Sequence, residues 1–430
     1  MKFKFLLVLV LLFLASRVEA SSLIGHSLRM MKTAGFWISR HPSPDAVIMG
    51  PETIDRFNAR LCKNNKLTKD IFTLTQDLKT EPLLEGLKKT FSDIEAKGYY
   101  SSAGVRNDKN FMADVKRNMN LSAVAIGMAP RYGLVAHWTS QRFLPTREGL
   151  YQKKDDYDFD QLQNSALDVG TPAALVHTSA DGRWYYVMTA ISDGWVEAKD
   201  IALGDINQVR KFAKGKDFVV VIRPKADIFM NEAMTEYDDY VRMGMRLPLA
   251  GIRAGRVRVC VPVRDADGTL AVKEAYMNTE DVNPGFLSFT ARNIYKQALM
   301  MLDQPYGWGD MYGEQDCSRF LQMVFATVGI NLPRDSKDQA KVSDSAVDFD
   351  GKSDDTAKIA AIIKAPAANT LLVMKGHIML YLGTVNGKPY AIHDTTVLSL
   401  DRVIVSDLSL GQGTPKGSLL RRLTRVVTIE

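Results

Sequence analysis

The spacing of apolar residues changes character along this chain of 430 residues. In the first part, stretches such as Ile54 to Leu61 and Leu83 to Ile94 repeat apolar residues at helical intervals. Further along, short runs such as Trp184 to Met188 are bounded by turn residues, which is typical of strands. Such a chain folds as several units of different secondary structure, and the lack of a fixed period excludes a repeat architecture.

The changes of pattern set the predicted domain boundaries. A mostly helical region covers residues 21–121, two strand-rich units cover 122–203 and 204–285, and a unit of mixed pattern covers 286–430. Short strands with frequent turns predict that the two middle units are small β-barrels. The predicted fold class is therefore multidomain α+β.

The first twenty residues predict export. Lys2 and Lys4 precede an apolar run from Phe5 to Ala15, and Val18-Glu19-Ala20 has the small-x-small pattern of a cleavage site. The alternative is a membrane anchor, but the run is about half of the roughly 20 apolar residues that a spanning helix needs. We predict a signal peptide over residues 1–20, no stable membrane anchor after cleavage, and a periplasmic or secreted mature protein.

Composition and charge narrow the possible partners. The net charge of +6 is a mild excess, and no dense Lys/Arg block interleaved with aromatic residues accompanies it, so nucleic acid is not a predicted partner. The sequence has no His-x-His, no His-Glu-x-x-His and no cysteine pair at ligand spacing. We therefore predict no metal site and no cofactor.

The three cysteines have different settings. An exported chain with an odd number of cysteines keeps at least one unpaired, which is a reactive liability unless it is buried or used. Cys62 follows a helical pattern and Cys260 lies in an alternating strand, where a small buried residue is the default. Cys317 instead follows a turn-rich aromatic stretch, residues 305–315, and opens a helix.

The sequence predicts where that helix begins and ends. Asp316 is a good N-cap and Gly329 a good stop, and the apolar face between them consists of Phe320, Leu321, Val324, Phe325 and Val328. Cys317 takes the first helical position, where the helix dipole favours a thiolate, and Arg319 adds a cation in the same turn. We predict a depressed thiol pKa and a nucleophilic role for Cys317.

Two histidines follow on a predicted hairpin. His377 opens one strand and His393 lies in the next, with the turn signal Asn386-Gly387 between them. A plain two-residue loop pairs Leu380 with His393 and puts the two rings on opposite faces. One extra residue, for instance a bulge at Gly387, brings both rings to one face. We predict that bulge.

A nucleophilic thiol, a base and a third polar group that orients the base form the apparatus of acyl transfer. The helix that carries the cysteine precedes the sheet that carries the histidines, as in papain-like folds. The N–H of the nucleophile and neighbouring donors can then stabilise an oxyanion.

Five sequence blocks follow one another in the last part of the chain: Tyr306-Gly307-Trp308-Gly309, Asp316 to Phe320, Leu332 to Ser336, Gly376 to Gly383, and His393-Asp394-Thr395. In order and spacing these blocks resemble the NlpC-type cysteine peptidases of bacterial cell walls. The segments 131–135 and 142–146 are similar to the first barrel of the subgroup that has an N-terminal stabilising region and two bacterial Src-homology-3-like barrels.

The resemblance implies hydrolysis of the bond between γ-D-glutamate and the L-diamino acid in peptidoglycan stem peptides or their fragments. Cys317 would be the nucleophile, His377 the general base and acid, and His393 the orienting third member, on a papain-like α+β domain. The implied substrate-binding residues are Asp316, Ser318, Tyr306, Trp308, Asp335 and Ser336.

The subgroup also implies that the first barrel borders the active site and restricts cleavage to short stems with a free N-terminal L-alanine. Glu148 and Tyr151 are candidates for that contact because they lie close to the Pro145-Thr146 block. Arg319 departs from the family pattern, which has a small residue there. It either changes the substrate preference or points to solvent.

Other interpretations remain open. Asp316 could only cap its helix, Tyr306 and Trp308 could be packing aromatics, and Asp335 with Ser336 could cap the next helix. The protein could be an acyltransferase, because an amine or alcohol resolves a thioester as well as water does. It could also be a noncatalytic wall-binding protein, against which the intact Cys-His-His set argues.

Overall fold

The computed structural model describes residues 29–74, 80–124, 129–253, 255–350 and 353–430. The predicted signal peptide lies outside these residues. Over the described ranges the strands form three large antiparallel sheets and two small two-stranded ones, with helices around them, which confirms the multidomain α+β prediction. No helix in these ranges has the length and apolar character that crossing a bilayer requires.

The N-terminal segments do not form one shared core. Helices α1 and α2 pack on the C-terminal unit, for example through Trp37 and Phe57, whereas α3 and α4 pack on the first large sheet through Phe91 and Met112. The elements of this part are α1 (Ala34–Ile38), β1 (Val47–Met49), α2 (Pro51–Lys63), α3 (Thr80–Lys97), β2 (Tyr100–Ser101) and α4 (Lys109–Asn118).

The first large sheet has seven strands in the order β10-β3-β7-β8-β9-β4-β6. A short strand, β5, leaves this sheet and pairs with β2 of the N-terminal part. The strands are β3 (Arg131–Val135), β4 (Thr139–Arg142), β5 (Leu150–Tyr151), β6 (Gln163–Leu167), β7 (Pro172–Thr178), β8 (Trp184–Met188), β9 (Asp193–Glu197) and β10 (Ile201–Gly204).

Helix α5 (Ile206–Lys214) leads into the second seven-stranded sheet, whose order is β13-β12-β16-β15-β14-β11-β17. The two sheets share an apolar core, in which Leu134 and Val169 of the first meet Val219 and Val257 of the second. The strands are β11 (Phe218–Val221), β12 (Lys225–Phe229), β13 (Tyr237–Arg242), β14 (Arg246–Arg253), β15 (Arg256–Arg264), β16 (Leu270–Asn278) and β17 (Val282–Pro284).

The C-terminal unit is a six-stranded sheet in the order β19-β24-β20-β21-β22-β23. One face packs on α6 and α7 through residues such as Phe320 and Leu380, and the other face packs on α9 and α10 through Met379 and Leu419. Its elements are β18 (Phe289–Thr290), α6 (Ala291–Met300), α7 (Cys317–Ala326), α8 (Ser336–Gln339), β19 (Ala346–Asp348), α9 (Asp355–Lys364), β20 (Thr370–Met374), β21 (His377–Val385), β22 (Lys388–Thr395), β23 (Arg402–Asp407), α10 (Leu419–Arg422) and β24 (Leu423–Thr428).

Candidate active site

Cys317 is the first residue of α7, as the sequence predicts. Asp316 Oδ1 accepts hydrogen bonds from the N–H groups of Ser318 (3.1 Å) and Arg319 (2.9 Å), so it caps the helix. Cys317 is 7% exposed, and its Sγ accepts a hydrogen bond from the N–H of Ile378. The sulfur therefore lies where the start of the helix meets the start of β21.

The predicted low pKa of the Cys317 thiol is wrong. Burial raises its pKa to about 12, and the negative charge of Asp316 adds to the rise. The helix dipole does not compensate, because the capping carboxylate is next to the sulfur and Arg319 points away from it. The resting nucleophile is a thiol, which needs a base during attack.

The two histidines share one face of the sheet. His377 Nε2 lies 2.8 Å from His393 Nδ1, and the ring centroids are 5.0 Å apart. This confirms the predicted common face. Burial lowers the pKa of His377 to about 4, and burial together with His377 lowers that of His393 well below its ordinary value, so both imidazoles are neutral at pH 7.

The bulge that brings the rings together is in β21. Tyr381 pairs with Ala391 and Gly383 pairs with Tyr390, so Leu382 is the extra residue. The prediction of one extra residue is confirmed, but its suggested position at the turn is wrong. The turn itself is an ordinary two-residue loop, since Asn386 and Gly387 both have positive φ, 50° and 74°.

Among the described residues, no hydrogen bond joins Cys317 Sγ directly to either imidazole. The sulfur meets the strand one residue beyond His377, at the N–H of Ile378. A nucleophile and its base are often further apart before substrate binds than during the reaction. The thiol lies on the α7 side of the sheet, whereas strand alternation puts the bonded, neutral imidazole pair on the face of Met379 and Ala391.

The aromatic loop before α7 contacts the first sheet's unit. The Trp308 ring packs edge-on against Phe159 at 5.8 Å, and the Tyr312 hydroxyl bonds Asp158 Oδ1 at 3.4 Å. Tyr306 is half-buried beside Cys317, and burial, with the negative charge nearby, raises the pKa of its hydroxyl. The first β-rich unit therefore forms a wall against the loop that precedes the nucleophile.

The remaining predicted substrate residues lie in two environments. The Ser318 hydroxyl donates to Asp316 Oδ1 and accepts from Arg334, so it is held within the protein. Asp335 is 55% exposed, pairs with Lys337, and makes no side-chain cap to α8, which contradicts the capping interpretation for its carboxylate. Ser336 is half-buried beside it. Contact of these residues with substrate stays a prediction.

Glu148 and Tyr151 lie on the first β-rich unit. Glu148 is exposed, and its carboxylate accepts a hydrogen bond from the Ser102 hydroxyl of the N-terminal part. Tyr151 is buried and packs edge-on against the exposed Tyr157 at 5.1 Å. The Tyr151 hydroxyl lies near both Glu148 and Tyr312.

Beneath the nucleophile lies a group of buried charges from three units, which we call the inter-domain charge cluster. It consists of Asp168, Arg242, Asp310, Asp316, Arg319 and Arg334, three acids and three bases. Asp168 Oδ2 of the first sheet's unit accepts from Arg242 of the second (2.8 Å) and from Arg319 of α7 (2.7 Å). Although burial alone raises the pKa of Asp168, the two guanidinium groups lower it below its ordinary value.

The cluster continues to the helix cap. Arg334 donates to Asp310 Oδ1 (3.2 Å), to Ser165 (2.9 Å) and to Asp316 Oδ2 (2.7 Å), so it ties the cap of α7 to the first sheet. The alternative that Arg319 points to solvent is wrong, because its side chain is buried and ion-paired. An effect of Arg319 on substrate preference stays a prediction. Arg334 lies within one of the sequence blocks noted above, but nothing near it in sequence points to its partners.

Asp394 is a buried carboxyl group on the side of the sheet that faces α7. Its Oδ2 accepts from Gln315 Nε2 at 2.8 Å, and burial raises its pKa to about 9. The group is therefore a neutral acid at pH 7. It follows His393 directly, so the pair of residues presents one polar group to each face of β22.

We expect an Asp394→Asn variant to be more thermostable than the wild type by a margin that grows between about pH 5 and pH 8. In this window the unfolded chain, with an ordinary Asp pKa of about 3.9, loses the proton that the folded state keeps, so rising pH favours unfolding of the wild type. The asparagine side chain is uncharged at every pH in this window, and its oxygen still accepts a hydrogen bond from Gln315. Melting temperature against pH is the measurement. Asp344 is exposed, and Asp344→Asn is the control, whose melting temperature should differ from that of the wild type by the same amount at every pH. If the difference for Asp394→Asn were also independent of pH, Asp394 would not be a neutral acid in the folded protein.

Two stretches of the chain match known domain families. Residues 303–409, which include the cysteine, both histidines and the aromatic loop, match the NlpC/P60 family, and residues 149–197 match the SH3 domain of SH3b1 type. The chain carries an NlpC/P60 domain and an SH3b1-type domain. The NlpC/P60 match covers the sheet and the α7 helix that form the site, and the SH3b1 match covers most of the wall opposite Trp308.

Known proteins extend this comparison. A solved NlpC/P60 endopeptidase from Photobacterium damselae subsp. piscicida has the same fold, with a TM-score of 0.76 over 92% of this chain and 96% of that one, at 22% identity. A γ-D-glutamyl-L-lysine dipeptidyl-peptidase from Bacillus cereus is 28% identical over 155 residues. That match spans 34% of this chain and 43% of the relative.

In the part of the chain that the structure describes, no group of three or more His, Cys, Asp or Glu side chains is placed to hold a metal ion.

Proposed function

We propose that this protein is a cell-wall endopeptidase that hydrolyses the bond between γ-D-glutamate and the L-diamino acid of peptidoglycan stem peptides. The observation that carries the proposal is the bonded imidazole pair, His377 and His393, with His377 one residue before the Ile378 N–H that bonds the sulfur of Cys317. The NlpC/P60 match supports peptidase activity, and the name of the Bacillus cereus relative supports this choice of bond.

The reaction needs two proton transfers through one ring. As Cys317 Sγ attacks the γ-carbonyl carbon, its proton passes to His377, and a thioester forms. His377 then returns the proton to the leaving amine of the diamino acid, and water hydrolyses the thioester with the same ring as base. His393 holds the ring in place. The N–H of Cys317 is used by no described hydrogen bond and is available to the oxyanion.

The first β-rich unit is proposed to limit the substrate to short stems with a free N-terminal L-alanine. The contacts of Trp308 with Phe159 and of Tyr312 with Asp158 support a cleft that is closed on this side. Glu148, as an exposed carboxylate in the same region, is the proposed partner of the amine, with Tyr151 beside it. We further propose that the mature protein acts outside the cytoplasm, which the sequence of residues 1–20 supports.

The test uses the tetrapeptide L-Ala-γ-D-Glu-diamino acid-D-Ala, with diaminopimelate or lysine as the diamino acid, and product analysis by mass spectrometry. We expect two dipeptides, and we expect iodoacetamide to stop their formation. An N-acetylated tetrapeptide should react more slowly if the free amine is recognised. No thiol-sensitive cut at the glutamyl bond would overturn the proposal, and an amide-exchanged product in the presence of added amine would identify a transferase instead.

A further inference from the structure

Three polar side chains follow one another across one face of β21, β22 and β23. His377 Nε2 lies 2.8 Å from His393 Nδ1, and His393 Nε2 lies 3.0 Å from the Oγ of Ser406. The register places them on a common face, since Ser406 pairs with Ala391, two residues before His393. Both nitrogens of the fully buried His393 ring are therefore engaged, one by His377 and one by Ser406.

The proposed reaction fixes the hydrogen on each ring. His377 Nε2 is taken by His393, so Nδ1 is the nitrogen left to receive the thiol proton, and it must carry a lone pair. A neutral imidazole has one N–H, which His377 then carries on Nε2 and donates to His393 Nδ1. His393 in turn carries its hydrogen on Nε2, with Ser406 Oγ as the acceptor.

We propose that Ser406 is a positioning residue that selects the tautomer of His393 and, through it, the basic nitrogen of His377. The inference rests on the proposed function, because it needs His377 to act as a base. Ser406 is half-buried, so its own O–H can point to solvent while Oγ accepts from the ring. The same bond supports the pair when His377 becomes an imidazolium and must keep donating to His393.

Without the hydroxyl, the buried Nε2–H of His393 has no acceptor among the described side chains. The ring avoids that loss by moving its hydrogen to Nδ1 and donating to His377 Nε2. His377 must then carry its hydrogen on Nδ1, the nitrogen that the proposed reaction leaves for the thiol proton, and it can no longer take that proton. Loss of Ser406 thus removes the base without removing either histidine.

The experiment compares the wild type, Ser406→Ala and Ser406→Thr in the full chain. Ser409→Ala is the matched control, because the Ser409 hydroxyl bonds Asp407 at the surface rather than a histidine. Steady-state kinetics on the stem tetrapeptide gives kcat and KM. Long-range ¹H–¹⁵N spectra of ¹⁵N-histidine-labelled protein, without substrate, show which ring nitrogen carries each hydrogen.

We expect Nε2–H on both rings in the wild type. Ser406→Ala should lower kcat roughly tenfold to hundredfold, as loss of outer hydrogen-bond partners does for metal-bound histidines, with KM unchanged and a shift toward Nδ1–H. Ser406→Thr should restore most of kcat, and Ser409→Ala should match the wild type. Nδ1–H on His393 in the wild type, or an unchanged kcat in Ser406→Ala, would overturn the inference.

The spectra separate this inference from the proposed function. If the wild type does not cleave the tetrapeptide, the proposed function fails while the tautomers are still read directly. If the wild type cleaves and Ser406→Ala cleaves equally well, only the role of Ser406 fails. If Ser406→Ala does not fold, the kcat of Ser406→Thr and the ring tautomers in the wild-type spectra still test the role of Ser406.

Discussion

A Cys317→Ala variant is expected to lose cleavage of the stem tetrapeptide, with kcat falling by roughly 10⁴-fold or more, as happens when the nucleophile of a comparable hydrolase is removed. The sulfur is the atom that forms the thioester, and the neighbouring Ser318 hydroxyl is held by Asp316 and Arg334. Initial rates of dipeptide release, followed by mass spectrometry, give the loss of kcat. The variant should keep its fold, because alanine fits the first position of a helix and Asp316 still provides the cap.

The matched control is Cys260→Ala. Cys260 is half-buried in β15, in the second β-rich unit and outside the NlpC/P60 domain, and no described side-chain hydrogen bond uses it. Its rate should equal that of the wild type, and iodoacetamide should still inactivate it. A Cys317→Ala variant that cleaves at the wild-type rate would remove the thiol from the mechanism.

An Asp168→Ala variant is expected to lose about 3–5 kcal/mol of stability, the usual cost of removing one partner from a buried ion pair. Asp168 has no exposed surface, and the change leaves the guanidinium groups of Arg242 and Arg319 buried with one acid fewer between them. The midpoint of urea unfolding, followed by tryptophan fluorescence, measures the loss. We also expect slower cleavage, since Arg319 belongs to the first turn of α7.

An exposed ion pair provides the comparison. Glu85 and Lys88 lie on the surface of α3, and Glu85→Ala should change the stability by less than about 1 kcal/mol. Asp168→Asn keeps the shape of the side chain but not its charge, and its loss of stability should lie between those of Asp168→Ala and Glu85→Ala. If Asp168→Ala were as stable as Glu85→Ala, the inter-domain charge cluster would not hold the units together.

Much of the site can be predicted from the sequence because it depends on interactions between residues that are close together in the chain. The cap at Asp316 and the turn at Asn386-Gly387 are local chemistry, and both form as expected. Counting residues along the hairpin shows that a common face for His377 and His393 requires one extra residue, and the structure has one. The place of the extra residue does not follow, because Leu382 bulges where Gly383, with φ of 139°, passes against the Trp37 ring from the other end of the chain.

The inter-domain charge cluster has no such local signal. Asp168 and Arg319 are 151 residues apart and belong to different units, and each looks in sequence like an ordinary surface charge. The same lack of tertiary information explains the wrong thiol pKa. The helix start is visible in the sequence, whereas the burial of Cys317 and the direction of Arg319 depend on how the units pack.

The split packing of the N-terminal segments has a consequence for how the chain reaches its native state. Trp37 stacks beside Tyr390, β1 pairs with β18, and Asn58 donates to the carbonyl of Gly329, so the catalytic core includes residues from both ends of the polypeptide. Contacts over such separations carry a large loop-closure entropy and slow the search for the native topology. The C-terminal sheet therefore becomes complete only after β23 and β24 are synthesised, so a partly synthesised chain holds no finished NlpC/P60 domain.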